Sequence, residues 1–117
     1  MNSYFPSSSD YSQAKERILY IFSIISEEDR VNIVSEYVMN ENKIRNYSKL
    51  DIKILIPMLD YLPDDIKIDI LSKSDSVDLF KFMGELNQIA QNKRYKRNTR
   101  KKYEKYYEIC QKALATE

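Results

Sequence analysis

The chain contains no histidine and no tryptophan, and only one glycine, one cysteine and three prolines among 117 residues. Without histidine there is no Ser-His-Asp or Cys-His triad, no imidazole metal ligand and no imidazole general base. A single glycine, Gly84, excludes a glycine-rich phosphate loop. Few Gly and Pro also leave few sites for the tight turns an all-β domain needs, which points to helices. Cys110 has no second cysteine to pair with, so the expected location is intracellular, cytoplasmic or nuclear. No apolar run approaches the roughly 20 residues of a membrane span. No basic start followed by an apolar run and a small-residue cleavage site opens the sequence. The expectation is therefore a protein with no membrane segment, no metal, no cofactor and no enzymatic activity.

What is present is charge, and it is unevenly placed. Residues 1–90 carry ten Lys/Arg against fifteen Asp/Glu, a balance of −5, whereas residues 91–117 carry nine against three, a balance of +6. The stretch 93–102, "KRYKRNTRKK", holds seven basic residues and no acidic one. Apolar residues make up 43%, enough for one modest core and too many for a disordered chain.

The periodicity predicts an all-α protein, a compact bundle of five to six short helices, with a flexible lead at 1–9 and a single helical domain over 10–117. Ser9 or Asp10 caps the first helix, and Ile18, Leu19, Ile21, Phe22 and Ile25 are dense enough to predict that it is well buried. Ser26 opens the second, an acidic first turn suits its dipole, and Val31, Val34, Tyr37 and Val38 give it one apolar face. Ser48 is the expected cap of the third, lined by Leu50, Ile54, Leu55, Met58, Leu59 and Leu62, with Pro57 expected to kink or split it. Pro63 suits the first position of the fourth, whose Ile66, Ile70 and Leu71 face inward. The fifth carries Val77, Leu79, Phe80, Phe82, Met83, Leu86 and Ile89. Asn98 and Thr99 interrupt it or cap a sixth, with Tyr103, Tyr107, Cys110 and Leu114 as its stripe. The acids Glu27, Glu28, Asp29, Asp64 and Asp65 read as helix-start residues rather than cation ligands, since calcium needs a Gly turn and further oxygens at fixed spacing. "SEEDRVNIVSEY" and "LPDDIKIDILSK" look alike, but two copies are fewer than a repeat architecture needs.

"LPDDIKIDILSKSDSVDLFKF", residues 62–82, resembles the F-box motif. Leu62, Pro63, Asp65, Ile66, Ile70, Leu71, Ser72, Asp78, Leu79 and Phe80 stand at its places without a gap. Extended to its departures from the motif, the resemblance spans residues 62–90, about a quarter of the chain. It departs from the family at Ser74, where an apolar residue is usual, and at Asn87, Ile89 and Ala90, near which Lys and Trp are common. The resemblance implies a helical hairpin docking on the Skp-type adaptor of cullin-RING ubiquitin ligases. Leu62, Pro63, Asp65, Ile66, Ile70 and Leu71 would be the protein-binding residues.

The second candidate site is the basic stretch. Lys93, Arg94, Lys96, Arg97, Arg100, Lys101 and Lys102 suit nucleic-acid phosphates, and Tyr95 suits an unpaired base. The plainer readings are a solvated helix end that complements the dipole of the fifth helix, or a contact with the protein's own acidic body. A non-catalytic module for a protein partner is the leading expectation, and a small nucleic-acid-binding protein is its alternative. An open basic face would favour nucleic acid, and a face folded against the acids of residues 60–78 would disfavour it.

Overall fold

The computed structural model describes residues 8–39 and 50–116. They form six helices: α1 (Ser8–Ile24), α2 (Glu27–Met39), α3 (Ile52–Leu59), α4 (Asp64–Ser72), α5 (Ser76–Gln91) and α6 (Arg97–Ala115). There is no strand among the described residues. Five consecutive residues of α3, Leu55 to Leu59, are buried. This makes α3 the centre of the bundle, and α1, α2 and α5 all pack against it. The longest helix, α6, lies against α5 and α4. Leu55, Leu59, Ile70, Leu71, Leu79, Phe82 and Leu86 fill one continuous core. Each such side chain contributes about 1.5–3 kcal/mol on leaving water.

Local chemistry sets the helix starts. The Asp29 amide donates to Ser26 Oγ at 3.1 Å, and the Asp78 amide to Asp75 Oδ2 at 3.2 Å. Each bond satisfies one amide that the first turn leaves unpaired. Asp51 caps α3, accepting from the Lys53 amide at 2.9 Å. The cap expected at Ser48 lies outside the described residues. Pro57 does not split α3, which runs unbroken to Leu59. The one bond it cannot donate is that to the Lys53 carbonyl, and the bonding resumes beyond it, with the Asp60 amide donating to the Ile56 carbonyl at 3.0 Å. Leu62 falls in the turn that follows, and Pro63 sits one position before α4 in extended conformation. The lead expected at 1–9 has its first seven residues outside the described ones, while Ser8 and Ser9 belong to α1.

The expectation of a well-buried first helix is corrected. Among the α1 side chains that the structure describes, only Phe22 is fully buried, with Ile18 half-buried beside it, while Tyr20, Ile21 and Ile24 are exposed. The reason is position: α1 lies at the edge, packed chiefly on α3, so one face suffices. Its C-terminal end has no basic residue of its own, and α2 and the α3–α4 turn serve it instead. Arg30 Nε donates to the Phe22 carbonyl at 2.6 Å, and the Tyr61 hydroxyl donates to the Leu19 carbonyl at 3.1 Å. The Arg30 guanidinium also lies 5.0 Å from the centroid of the Tyr61 ring, which meets Phe22 edge-on.

The stripe expected on α6 is shifted as well. Tyr106, Ile109, Cys110 and Ala113 are its buried residues, with Tyr103, Tyr107 and Leu114 half-buried at the flanks. A polar contact from elsewhere fixes this orientation. Asp60, at the end of α3, accepts from the Tyr106 hydroxyl and from Lys102 Nζ, both at 2.7 Å. Asp64 pairs with Lys67 at 3.2 Å and Lys105 at 3.5 Å. The hydrogen bond from Lys67 holds the Asp64 carboxyl below its ordinary range. Burial first, then the bond to Asp60, pushes the Tyr106 phenol far above its usual value, and burial raises Tyr37 and Tyr103 too.

For these phenols the folded state holds the proton more tightly than the unfolded one. Their contribution is complete below about pH 10 and is lost as the pH climbs through the raised folded values. Tyr106→Phe removes a hydrogen bond whose acceptor is partly exposed, so it is expected to cost about 1 kcal/mol at neutral pH. That corresponds to roughly 3–6 °C in melting temperature. The gap from wild type should narrow above about pH 10 in thermal melts followed by circular dichroism. A gap that widens in alkali would refute this account of Tyr106.

Candidate functional site

The turn between α5 and α6 is built by side-chain chemistry and not by glycine. The Asn92 amide bonds back to the Ile89 carbonyl, and Asn92 Oδ1 accepts from the Arg94 amide at 3.0 Å. This local turn competes with continued helix and ends α5. The break therefore falls at Asn92 to Lys96, ahead of Asn98 and Thr99, which lie in the first turn of α6.

Lys93, Arg94, Tyr95, Lys96 and Arg97 are exposed, as are Lys101 and Lys102, while Arg100 is half-buried. Of the seven cations, Lys102 is held by Asp60. Lys93, Arg94, Lys96, Arg97 and Lys101 make no ion pair among the described residues. Asp60 and Asp64, which meet this helix from the end of α3 and the start of α4, are engaged by Lys102, Lys105, Lys67 and Tyr106. Lys93 and Arg94 follow the C-terminus of α5, where a helix dipole favours cations. Arg97, Arg100 and Lys101 stand at the opposite end of a dipole, in the first turns of α6. That end has no acid in its first turn and no side-chain cap from Lys96. A cation there costs about 0.3–1 kcal/mol in place of the gain an acid would bring. Arg100 buries Nε with no acceptor among the described residues, a further cost of about 1–3 kcal/mol.

Beside this surface lies a cleft of about 540 Å³, lined by Asp51, Ile52 and Lys53 from α3, Glu85, Gln88 and Ile89 from α5, and Tyr95 and Tyr103. Tyr95 is 44% exposed. The two tyrosines are close enough that Tyr95 adds to the upward displacement of the Tyr103 phenol, after burial and Asp60. Sequence reasoning singled out Tyr95 and assigned Tyr103 to the core. It did not find Glu85 or Gln88, whose spacing of three is that of any exposed helix face.

The residues of the F-box-like stretch are divided by the fold. Of the six expected protein-binding residues, Leu62, Ile70 and Leu71 are buried in the core, Ile66 is half-buried, and Pro63 and Asp65 are exposed. Phe80, later in the same stretch, is 62% exposed, as is its neighbour Val77 at 57%.

Cys110 is fully buried, and burial pushes its thiol up to about 12. Thiolate is the reactive form, so the folded protein should resist alkylation by iodoacetamide at pH 8 and react once denatured. Rapid alkylation of the native chain would overturn this placement. Among the described residues no cluster of three or more Cys, Asp or Glu side chains is placed to hold a metal ion. Nor is any helix among them long and apolar enough to cross a membrane. No protein-family model, no curated protein and no solved structure matches this chain.

Proposed function

We propose that this chain is a non-catalytic binding module that takes nucleic acid on the surface formed by residues 93–101. One observation carries the reading: five exposed cations cluster without an ion pair among the described residues, although Asp60 and Asp64 pair with Lys102 and Lys105 farther along α6. Cations left open in this way attract a polyanion, and displacing its counterions supplies the binding free energy. The turn at Asn92 and the start of α6 spread the charges over two segments, which suits a backbone of successive phosphates better than a single anion.

A protein partner docking on the F-box-like hairpin would meet Pro63, Asp65 and part of Ile66, with Val77 and Phe80 exposed on α5, but not the three aliphatics expected at the centre of the interface. Leu62, Ile70 and Leu71 serve the interior, and withdrawing them would cost several kcal/mol. For this reason the basic surface is the preferred site. The test is fluorescence anisotropy with single- and double-stranded oligonucleotides at low and raised salt, beside a binding assay with a Skp-type adaptor. Salt-sensitive oligonucleotide binding is the expected result. No oligonucleotide binding at low ionic strength, or adaptor binding at micromolar concentration in its place, would overturn it.

A further inference from the structure

We infer that the cleft between α3, α5 and α6 receives an unpaired base of a single-stranded nucleic acid, packed against Tyr95 and Tyr103, while the flanking phosphates lie on the cations around Tyr95. This rests on the basic-surface reading and adds to it which form of nucleic acid is preferred.

Three observations carry the inference. Tyr95 belongs to both features: it lines the cleft, and its chain neighbours Lys93, Arg94, Lys96 and Arg97 form the basic surface. A strand whose phosphates follow those cations therefore brings its bases to the mouth of the cleft. Secondly, charge is partitioned. The cleft is lined by Asp51 and Glu85 together with Lys53, so its walls carry both signs, whereas the chain on either side of Tyr95 carries cations alone. A neutral, flat, polar group is what such walls accept. The Gln88 amide offers hydrogen-bonding groups at the base edge, and Ile52, Ile89 and the two phenol rings offer apolar surface. Thirdly, Thr99 and Arg100 lie one turn before Tyr103 on the same face of α6. Arg100 buries an Nε–H without an acceptor among the described residues, and turning the side chain toward a phosphate at the cleft mouth would supply one. A duplex keeps its bases stacked and paired, so it reaches the cations and leaves the cleft empty.

The test uses anisotropy of the full chain at low salt with a labelled oligothymidine, the same oligomer with abasic sites, and a blunt duplex. Stacking of one base on an aromatic side chain corresponds to about 5- to 150-fold in affinity. The intact strand should bind tighter than the abasic strand by a factor in that range. Tyr95→Ala should lower affinity for the intact strand by a similar factor, leave the abasic strand unaffected and keep the salt slope unchanged. Tyr95→Phe should restore binding. The abasic comparison uses the unaltered chain, so it does not depend on a variant folding. Equal affinity for intact and abasic strands, with no effect of Tyr95→Ala, would overturn the base site and leave the basic surface standing. Failure of all three ligands to bind would overturn both.

Discussion

Replacing Arg94, Lys96 and Arg97 together by Gln should reduce affinity for a single-stranded oligonucleotide roughly 100-fold near 0.1 M salt. Each lost phosphate contact should also flatten the slope of log affinity against log salt by about 0.7 for a single strand, or 0.9 for a duplex. Three contacts therefore change the slope by roughly two units. The same substitutions should not cost stability. All three side chains are exposed and unpaired among the described residues, and Arg97 opposes the dipole of α6. Removing that opposition is expected to leave the melting temperature unchanged or raise it by a degree or two. Binding and stability then move in opposite directions, as expected of a surface whose charges are unfavourable in the free protein and favourable against an anion. If these cations instead served the fold by meeting the acidic body, the variant would melt several degrees lower and the salt slope would stay as it was.

The start of the second helix was legible because its chemistry is local. Ser26 lies three residues from the amide it caps, whereas Asp75, which caps α5 in the same way, lay unmarked in a run of serines and acids. The basic stretch was legible for the same reason, since composition alone marks it. What escaped was orientation. Around residues 18–25 the apolar side chains nearly encircle the helix, and periodicity cannot say that only the face of Ile18, Phe22 and Ile25 meets a neighbour. On α6 the three tyrosines at 103, 106 and 107 are equivalent in the sequence. Asp60, 46 residues away, selects Tyr106 by accepting its hydroxyl. The cleft was illegible for a related reason. Its walls come from the start of α3, the second half of α5, the turn after it and the second turn of α6, so no linear spacing encodes them. The F-box resemblance illustrates the converse. A Leu-Pro-acid start followed by aliphatics every three or four residues describes a docking hairpin and a core helix equally well. Only burial separates the two.

That separation can be measured on Leu71 and Pro63. Leu71 is fully buried beside Ile70 and Leu79 in the continuous core, whereas Pro63 is exposed ahead of α4. Leu71→Ala removes three carbon atoms from a close-packed site and is expected to cost about 2–5 kcal/mol, according to how far the surroundings relax. For a domain of this size that is roughly 10–20 °C in melting temperature. It is also a large share of a total stability on the order of 5–15 kcal/mol. Pro63→Ala should cost below about 1 kcal/mol, chiefly by loosening the unfolded chain. Oligonucleotide affinity measured well below the melting temperature should be unchanged in both, because neither residue lies in the basic stretch or lines the cleft. Urea titrations give the two free energies directly, and an unchanged dependence on urea concentration would show that the unfolded reference has not moved. A hairpin held ready for a partner would give another pattern: Leu71→Ala close to neutral in urea, with adaptor binding lost in both variants. A cost under about 0.5 kcal/mol at Leu71 would therefore refute the packing of α4 described above, since surface positions behave in that way and core positions do not.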